Sequence, residues 1–138
     1  MIRRILLAYD GSAASVKACE LAFDLAQRYG ARLVVLSVAR PPEFGDDVET
    51  EAVIENSRAY HEGLLEPVKQ RAATSGLDAA FLVTVGHPTE QIIAEAEREH
   101  ADLIVLGHRG KTLFQRLRLG SVSKQVVQYA ECPVLVVR

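Results

Sequence analysis

Little in this chain could staple a fold, ligate a metal or cross a membrane. Its 138 residues include two cysteines, Cys19 and Cys132, which form neither a CxxC pair nor a zinc-type spacing. Both are expected as buried thiols in a reducing compartment. No stretch approaches the ~20 apolar residues of a membrane span. The apolar run near the start is short and stops at Asp10 without a cleavage-like site, so it is not read as a signal peptide. The expectation is a cytoplasmic protein with no membrane partner. A net charge of −2 supplies no global field toward nucleic acid, which is not an expected partner either. The four histidines contain no HxxxH pair, and neither a repeat nor a low-complexity tract is visible.

What the chain does have is a strict alternation of segment types. Five apolar runs rich in Val, Ile and Leu occur at 2–9, 32–38, 79–85, 102–106 and 133–137. Most show little period-two alternation, as strands buried on both faces do. The third is more mixed and suits a sheet edge. Between the runs lie helical patterns. Over 13–29, Ala18, Leu21, Ala22, Leu25, Ala26 and Tyr29 form an apolar stripe, with Ser12 as N-cap and Gly30 as terminator. A second helix is expected over 49–75, kinked or split at Pro67. A third opens at Pro88 and turns Ile92, Ile93 and Ala96 inward. A fourth opens at Gly120-Ser121 and turns Val122, Val126, Val127 and Ala130 inward. The 41–47 segment is a loop that could act as a lid or be a plain connection. One α/β domain over 1–138 follows. It has a doubly wound, five-stranded parallel sheet in the order 3-2-1-4-5 and helices on both faces.

In such a sheet ligands bind beyond the carboxyl ends of the strands, where the strand order reverses. Asp10-Gly11-Ser12 follows the first strand there, and Gly107-His108-Arg109-Gly110-Lys111-Thr112 follows the fourth. Glycines 107, 110 and 120 allow close backbone approach to an anion, and the last helix starts at the same place. Between Asp102 and Glu131 there is no acidic residue, yet Arg109, Lys111, Arg116, Arg118 and Lys124 all occur. Each feature alone fits a solvated turn; together they favour anion binding. The segment is no Walker-type loop. Gly110-Lys111-Thr112 fits its end, but Val105 stands where the first glycine is needed. GxGxxG is also absent, which argues against a Rossmann dinucleotide site.

Gly107-x2-Gly110-x9-Gly120-Ser121 resembles the ATP-binding signature of the universal stress protein family. The resemblance extends over nearly the whole chain. Ile5-Leu6-Leu7-Ala8-Tyr9-Asp10-Gly11-Ser12 is similar to the family's opening, and Gly86-His87-Pro88 to its turn after strand three. Residues 101–107 resemble its fourth strand, and Cys132-Pro133 through Arg138 its ending. The resemblance implies binding of ATP, or AMP or ADP, in a regulatory or stress-response role. It places Asp10 at the ribose or polar edge, the backbone of Ala8 and Tyr9 near adenine, and Val38 over the base. Leu106 and Gly107 would line the ribose. Arg109, Gly110, Gly120, Ser121, Val122 and Ser123 would cradle phosphates, and Mg²⁺ could bridge them, with Asp10 in reach. Two positions depart from the pattern: Ser37 stands where the family often has His, and Arg116 and Arg118 make the loop more basic.

The remaining candidates are weaker. His61 and His100 are expected at a helix surface or end, and His87 at a cap or turn. His108, in the phosphate loop, stays open between ligand contact and solvent. Ser12 or Ser121 with His108 and Asp10 would make a triad, but no G-x-S-x-G elbow supports one. Slow ATP hydrolysis or autophosphorylation is the enzymatic alternative, and phosphoryl transfer would need a positioned base and metal ligands. A nucleotide-free dimeric interaction module is the other. The last strand, Pro133 to Val137, would be an apolar edge, so a homodimer through it is expected, and the resemblance points the same way.

Overall fold

The structure is a computed structural model that describes residues 1–41, 48–108 and 120–138; of residues 48–50 only the backbone is described. In chain order the elements are β1 (Arg4–Ala8), α1 (Ala13–Tyr29), β2 (Arg32–Ala39), α2 (Val48–Ser75) and β3 (Ala79–Val85). Then follow α3 (Pro88–Arg98), β4 (Leu103–Gly107), α4 (Ser121–Tyr129) and β5 (Val134–Val137). The sheet order is β3-β2-β1-β4-β5, with every described pair parallel. The expected order and the edge positions of β3 and β5 are therefore found.

Strand alternation explains the two layers. Ile5, Leu7, Leu33, Val35, Leu103 and Val105 point to one face, where α1 and α2 add Ala18, Ala22, Phe23, Ala26, Leu65, Val68 and Ala72. Leu6, Val34, Leu36, Ile104 and Leu106 point to the other, against Ile92 and Ala96 of α3 and Val126 of α4. The central strands are thus buried on both sides, which is why their sequences read as unbroken apolar runs. Each fully buried Leu, Ile or Val contributes about 1.5–3 kcal/mol relative to exposure.

Helix details follow the local signals with corrections. Ser12 caps α1, its side chain accepting from the Ser15 N–H, and Gly30 ends it in the left-handed region at φ 61°. The buried stripe of α1 is rotated from the expected one. Cys19 and Phe23 are buried, Leu21 and Leu25 are half-buried, and Tyr29 is 56% exposed. Alanines 18, 22 and 26 mark the line of closest approach, and the residues one step past 18 and 22 complete that arc. Val127 is likewise turned outward, because Val126 occupies the inward position next to it. Pro67 does not split α2, which runs unbroken from Val48 to Ser75. The proline is on the exposed side, while Leu65, Val68 and Ala72 hold the opposite face to the core. Both cysteines are free thiols; Cys19 is buried but Cys132 only half-buried. Burial pushes both thiols up and keeps them weakly nucleophilic. No helix among the described residues is long and apolar enough to cross a membrane.

At the opposite end of the sheet from the strand carboxyl ends, Asp102 ties β4 to β1. Its Oδ2 accepts from the backbone N–H of Arg3 at 2.8 Å and of Arg4 at 2.9 Å. These two bonds hold its carboxyl below the usual range. A depressed folded pKa stabilises above the unfolded value of about 4 and ceases to as pH falls through the folded value. Asp102→Ala is therefore expected to melt earlier than the native chain at pH 7. The gap should close in acid, where the native carboxylate is protonated. Thermal unfolding at neutral and acid pH tests this; an equal gap at both pH values would refute the clamp.

Candidate functional site

The strand order reverses between β1 and β4. α1, which follows β1, packs on one face and α4, which follows β4, on the other, so the two crossovers part and leave a crevice beyond the strand ends. A cavity of about 400 Å³ opens there. Its apolar lining comes from Ala8, Leu36, Val38, Leu106, Ile92 and Val122. Its polar lining comes from Asp10, Ser12, Ser57, His61, Arg40 and Ser123. A flat apolar group and a hydrogen-bonding anionic group could be taken together by such a wall.

Local geometry fixes the polar side. Beyond β1, the Tyr9 N–H donates to the Leu36 carbonyl at 2.8 Å, which holds the chain against β2 as it leaves the sheet. Asp10 Oδ1 then accepts from the Ser12 N–H at 2.9 Å, closing the turn that Gly11 makes at φ 80°. Across the crevice, Ser123 Oγ donates to the Gly107 carbonyl at 3.1 Å and ties α4 to the end of β4. Gly120 is the N-cap residue of α4 and offers no side-chain cap. Gly120 itself therefore caps none of the first amides of α4, which stand at the positive end of the helix dipole.

Of the residues that the sequence pointed to, Ala8, Tyr9, Asp10, Val38, Leu106, Gly107, Gly120, Val122 and Ser123 line this cavity. Arg109 and Gly110 lie outside the described residues, as do Lys111, Arg116, Arg118 and nearly all of the 41–47 loop. Ser121 is in α4 but exposed, and its side chain is not part of the wall. Lys124 is also exposed and not part of it. His108 is neither a wall residue nor solvent-exposed; it is only 4% exposed. Its N–H donates to the Val137 carbonyl, extending the pairing of β4 and β5 by one residue, so its side chain lies within the fold. Among the described residues its Nε2 has no hydrogen-bond partner. With His108 buried outside the wall and Ser121 exposed, these two groups do not meet in the cavity.

Gly107 has a packing reason beside the one the sequence suggested. A Cβ there would stand 2.5 Å from the Ala14 carbonyl carbon and 2.6 Å from the Ser15 nitrogen. The glycine lets the end of β4 pass beneath the first turn of α1. Gly120 has φ −59° and ψ 157°, backbone that any residue adopts, so no left-handed turn demands it.

Sequence reasoning missed the wall built by α2. Ser57, Tyr60 and His61 face the cavity from this helix, and Arg40 reaches it from the end of β2. His61 was expected at the surface. Instead its Nδ1 sits 2.6 Å from Ser37 Oγ on β2, and Tyr60 meets its ring edge-on at 5.5 Å. Ser37 itself is fully buried, and its hydroxyl stands where the apolar pattern of β2 is broken. Burial pushes the His61 imidazole down, with the nearby Asp10 charge opposing, so the ring is neutral at pH 7. The Tyr9 phenol is pushed up, mainly by burial and then by Cys19 and Asp10, and stays protonated. Among the described residues no group of three or more His, Cys, Asp or Glu could hold a metal ion.

Fold and cavity together define a doubly wound parallel α/β protein with a cavity at the switch point of its sheet. The universal stress protein family model matches residues 1–138. Universal stress protein YxiE of Bacillus subtilis is 34% identical, over 100% of both chains. The chain therefore belongs to the universal stress protein family. Its structure is similar to that of UspA from Lactobacillus plantarum, with a TM-score of 0.88 and 28% identity over 99% of this chain and 98% of that one. A universal stress protein solved in complex with cAMP has a TM-score of 0.73 and 27% identity, covering 99% of this chain and 97% of that one.

Proposed function

We propose that this chain binds an adenine nucleotide in the switch-point cavity, with ATP the first candidate and AMP or ADP the others, and that occupancy is its regulatory or stress-response signal. The supporting observation is the mixed apolar and polar wall. Val38, Leu36, Ala8 and Ile92 offer an apolar surface for a base. Asp10, Ser123 and the start of α4 offer hydrogen bonds for the sugar and phosphate. The relative solved with cAMP is consistent with this reading. A metal, if used, would be carried by the phosphates, since the described residues build no metal site of their own. The proposed location is the cytoplasm.

Calorimetry with ATP, ADP, AMP and cAMP, with and without Mg²⁺, tests the reading. At a hundred times Kd the ligand should also stabilise the fold by about 2.7 kcal/mol. Neither heat nor a thermal shift with any of the four would overturn the assignment.

We further propose that two copies pair through β5. All four of its residues are half-buried in the single chain, and the strand is a sheet edge. Leu135→Lys is expected to turn a dimer into a monomer in sedimentation velocity. A variant that stays dimeric would exclude this interface.

A further inference from the structure

His61 is a wall residue with one ring nitrogen already engaged from outside the cavity. Its Nδ1 meets Ser37 Oγ, and the Tyr60 ring packs edge-on against it. Only Nε2 is then left to meet a ligand from this ring. The charged and titratable groups that line the cavity around it among the described residues are Asp10 and Tyr9 from the end of β1, Arg40 from the end of β2 and Tyr60 beside it on α2. Asp10 is close enough for its charge to act on the imidazole.

The chemistry of that pair selects its ligand. An ionised carboxylate only accepts hydrogen bonds. A neutral imidazole whose Nδ1 is engaged by a serine hydroxyl presents Nε2 as a donor in one tautomer and as an acceptor in the other. A phosphate also only accepts, and Asp10 would repel it. A sugar hydroxyl both donates and accepts, and a vicinal pair of them can satisfy an acceptor and a donor side by side.

We propose that His61 is a sugar-contacting residue of this cavity: Nε2, held in place by the Ser37 contact to Nδ1, pairs with one ribose hydroxyl while Asp10 accepts from its neighbour. Ser37 acts through His61 and is a positioning residue. The ribose diol is therefore read by two elements far apart in the chain, the turn after β1 and the overhanging part of α2. This rests on the nucleotide-binding reading above, which it deepens by naming what holds the sugar.

The test is a cycle that varies protein and ligand together. Calorimetry compares AMP, 2′-deoxy-AMP and 3′-deoxy-AMP on the native chain, His61→Phe and Ser37→Ala. The native chain is expected to favour AMP over at least one deoxy ligand by about tenfold, the loss of one good hydrogen bond. His61→Phe should weaken AMP by about tenfold and leave that deoxy ligand nearly unchanged, so that the two deletions are not additive. Ser37→Ala should remove part of the same preference. Imidazole nitrogen NMR on the native chain adds a readout independent of any variant: Nε2 of His61 should shift with AMP and shift less with that deoxy ligand. If both deletions add, or if the Nε2 signal ignores AMP, the sugar contact is overturned while nucleotide binding stands. If the native chain binds none of the three, the nucleotide reading falls, and this inference with it.

Discussion

Gly107→Ala is expected to destabilise the fold by about 3 kcal/mol, the upper end of the usual overpacking cost. The added Cβ meets main-chain atoms of α1, at 2.5 and 2.6 Å, and the Ala14 Cβ at 2.8 Å. No side chain can swing away to relieve the first two contacts. Either α1 lifts from the sheet at its first turn or the end of β4 is displaced. A fall of roughly 10 °C in the melting midpoint is the corresponding thermal effect. Nucleotide affinity should fall as well, because the same turn carries Ser12 and abuts Asp10. The decisive measurement is chemical unfolding without nucleotide. A variant of native stability that has lost only binding would show that Gly107 serves the ligand and not the packing of α1 on β4.

Gly120→Val should do the converse, abolishing binding with the fold intact. Gly120 lines the cavity at the start of α4, with φ and ψ that valine adopts readily. The branched side chain would fill the space in front of the first amides of α4. Losing charge-assisted hydrogen bonds of about 1.5–3 kcal/mol each weakens a phosphate ligand by roughly a hundredfold or more. Titration with AMP, beside an unfolding curve matching the native one, checks both halves. Native affinity in this variant would remove the α4 amides from the site.

These two glycines come from one spacing pattern and do different physical work. In the sequence they look alike, because a glycine's letter does not say whether the missing Cβ makes room for a ligand, for another backbone or for an unusual dihedral. Gly107 makes room for α1, Gly120 borders the cavity, and Gly11 supplies a positive φ.

The architecture was legible because its causes are periodic and local. Ile5, Leu6 and Leu7 are apolar in succession since β1 is covered on both faces, and that is visible in one dimension. Ser12, Gly30 and Pro88 act on their own neighbours, so the ends of α1 and the start of α3 could be read directly. The burial of His108 was not legible for a related reason. The pairing of β4 with β5 runs one residue past Gly107, and nothing local marks where a ladder stops.

α2 shows what escaped the reading. Twenty-eight residues of helix span about 42 Å. The eight residues of β2 span about 26 Å. The helix must therefore overhang the strand ends, and its early turns must stand beside whatever binds there. The length was in the sequence, but no motif marked Ser57, Tyr60 or His61, and a lone histidine on a helix most often faces water. Ser37 was noticed as a departure from the family pattern, without its partner.

By itself, then, the sequence determined the alternation of strands and helices, the parallel sheet and its order, the caps of α1 and the crevice where a ligand would sit. Hydrophobic period and capping chemistry act over a few residues and survive projection onto a line. Only the tertiary structure decided that Gly107 belongs to the packing of α1, that His108 is buried, and that His61 turns inward to meet Ser37 beside Asp10. Those outcomes depend on where elements distant in the chain meet, which is set by helix length, strand register and the direction of side chains across a gap.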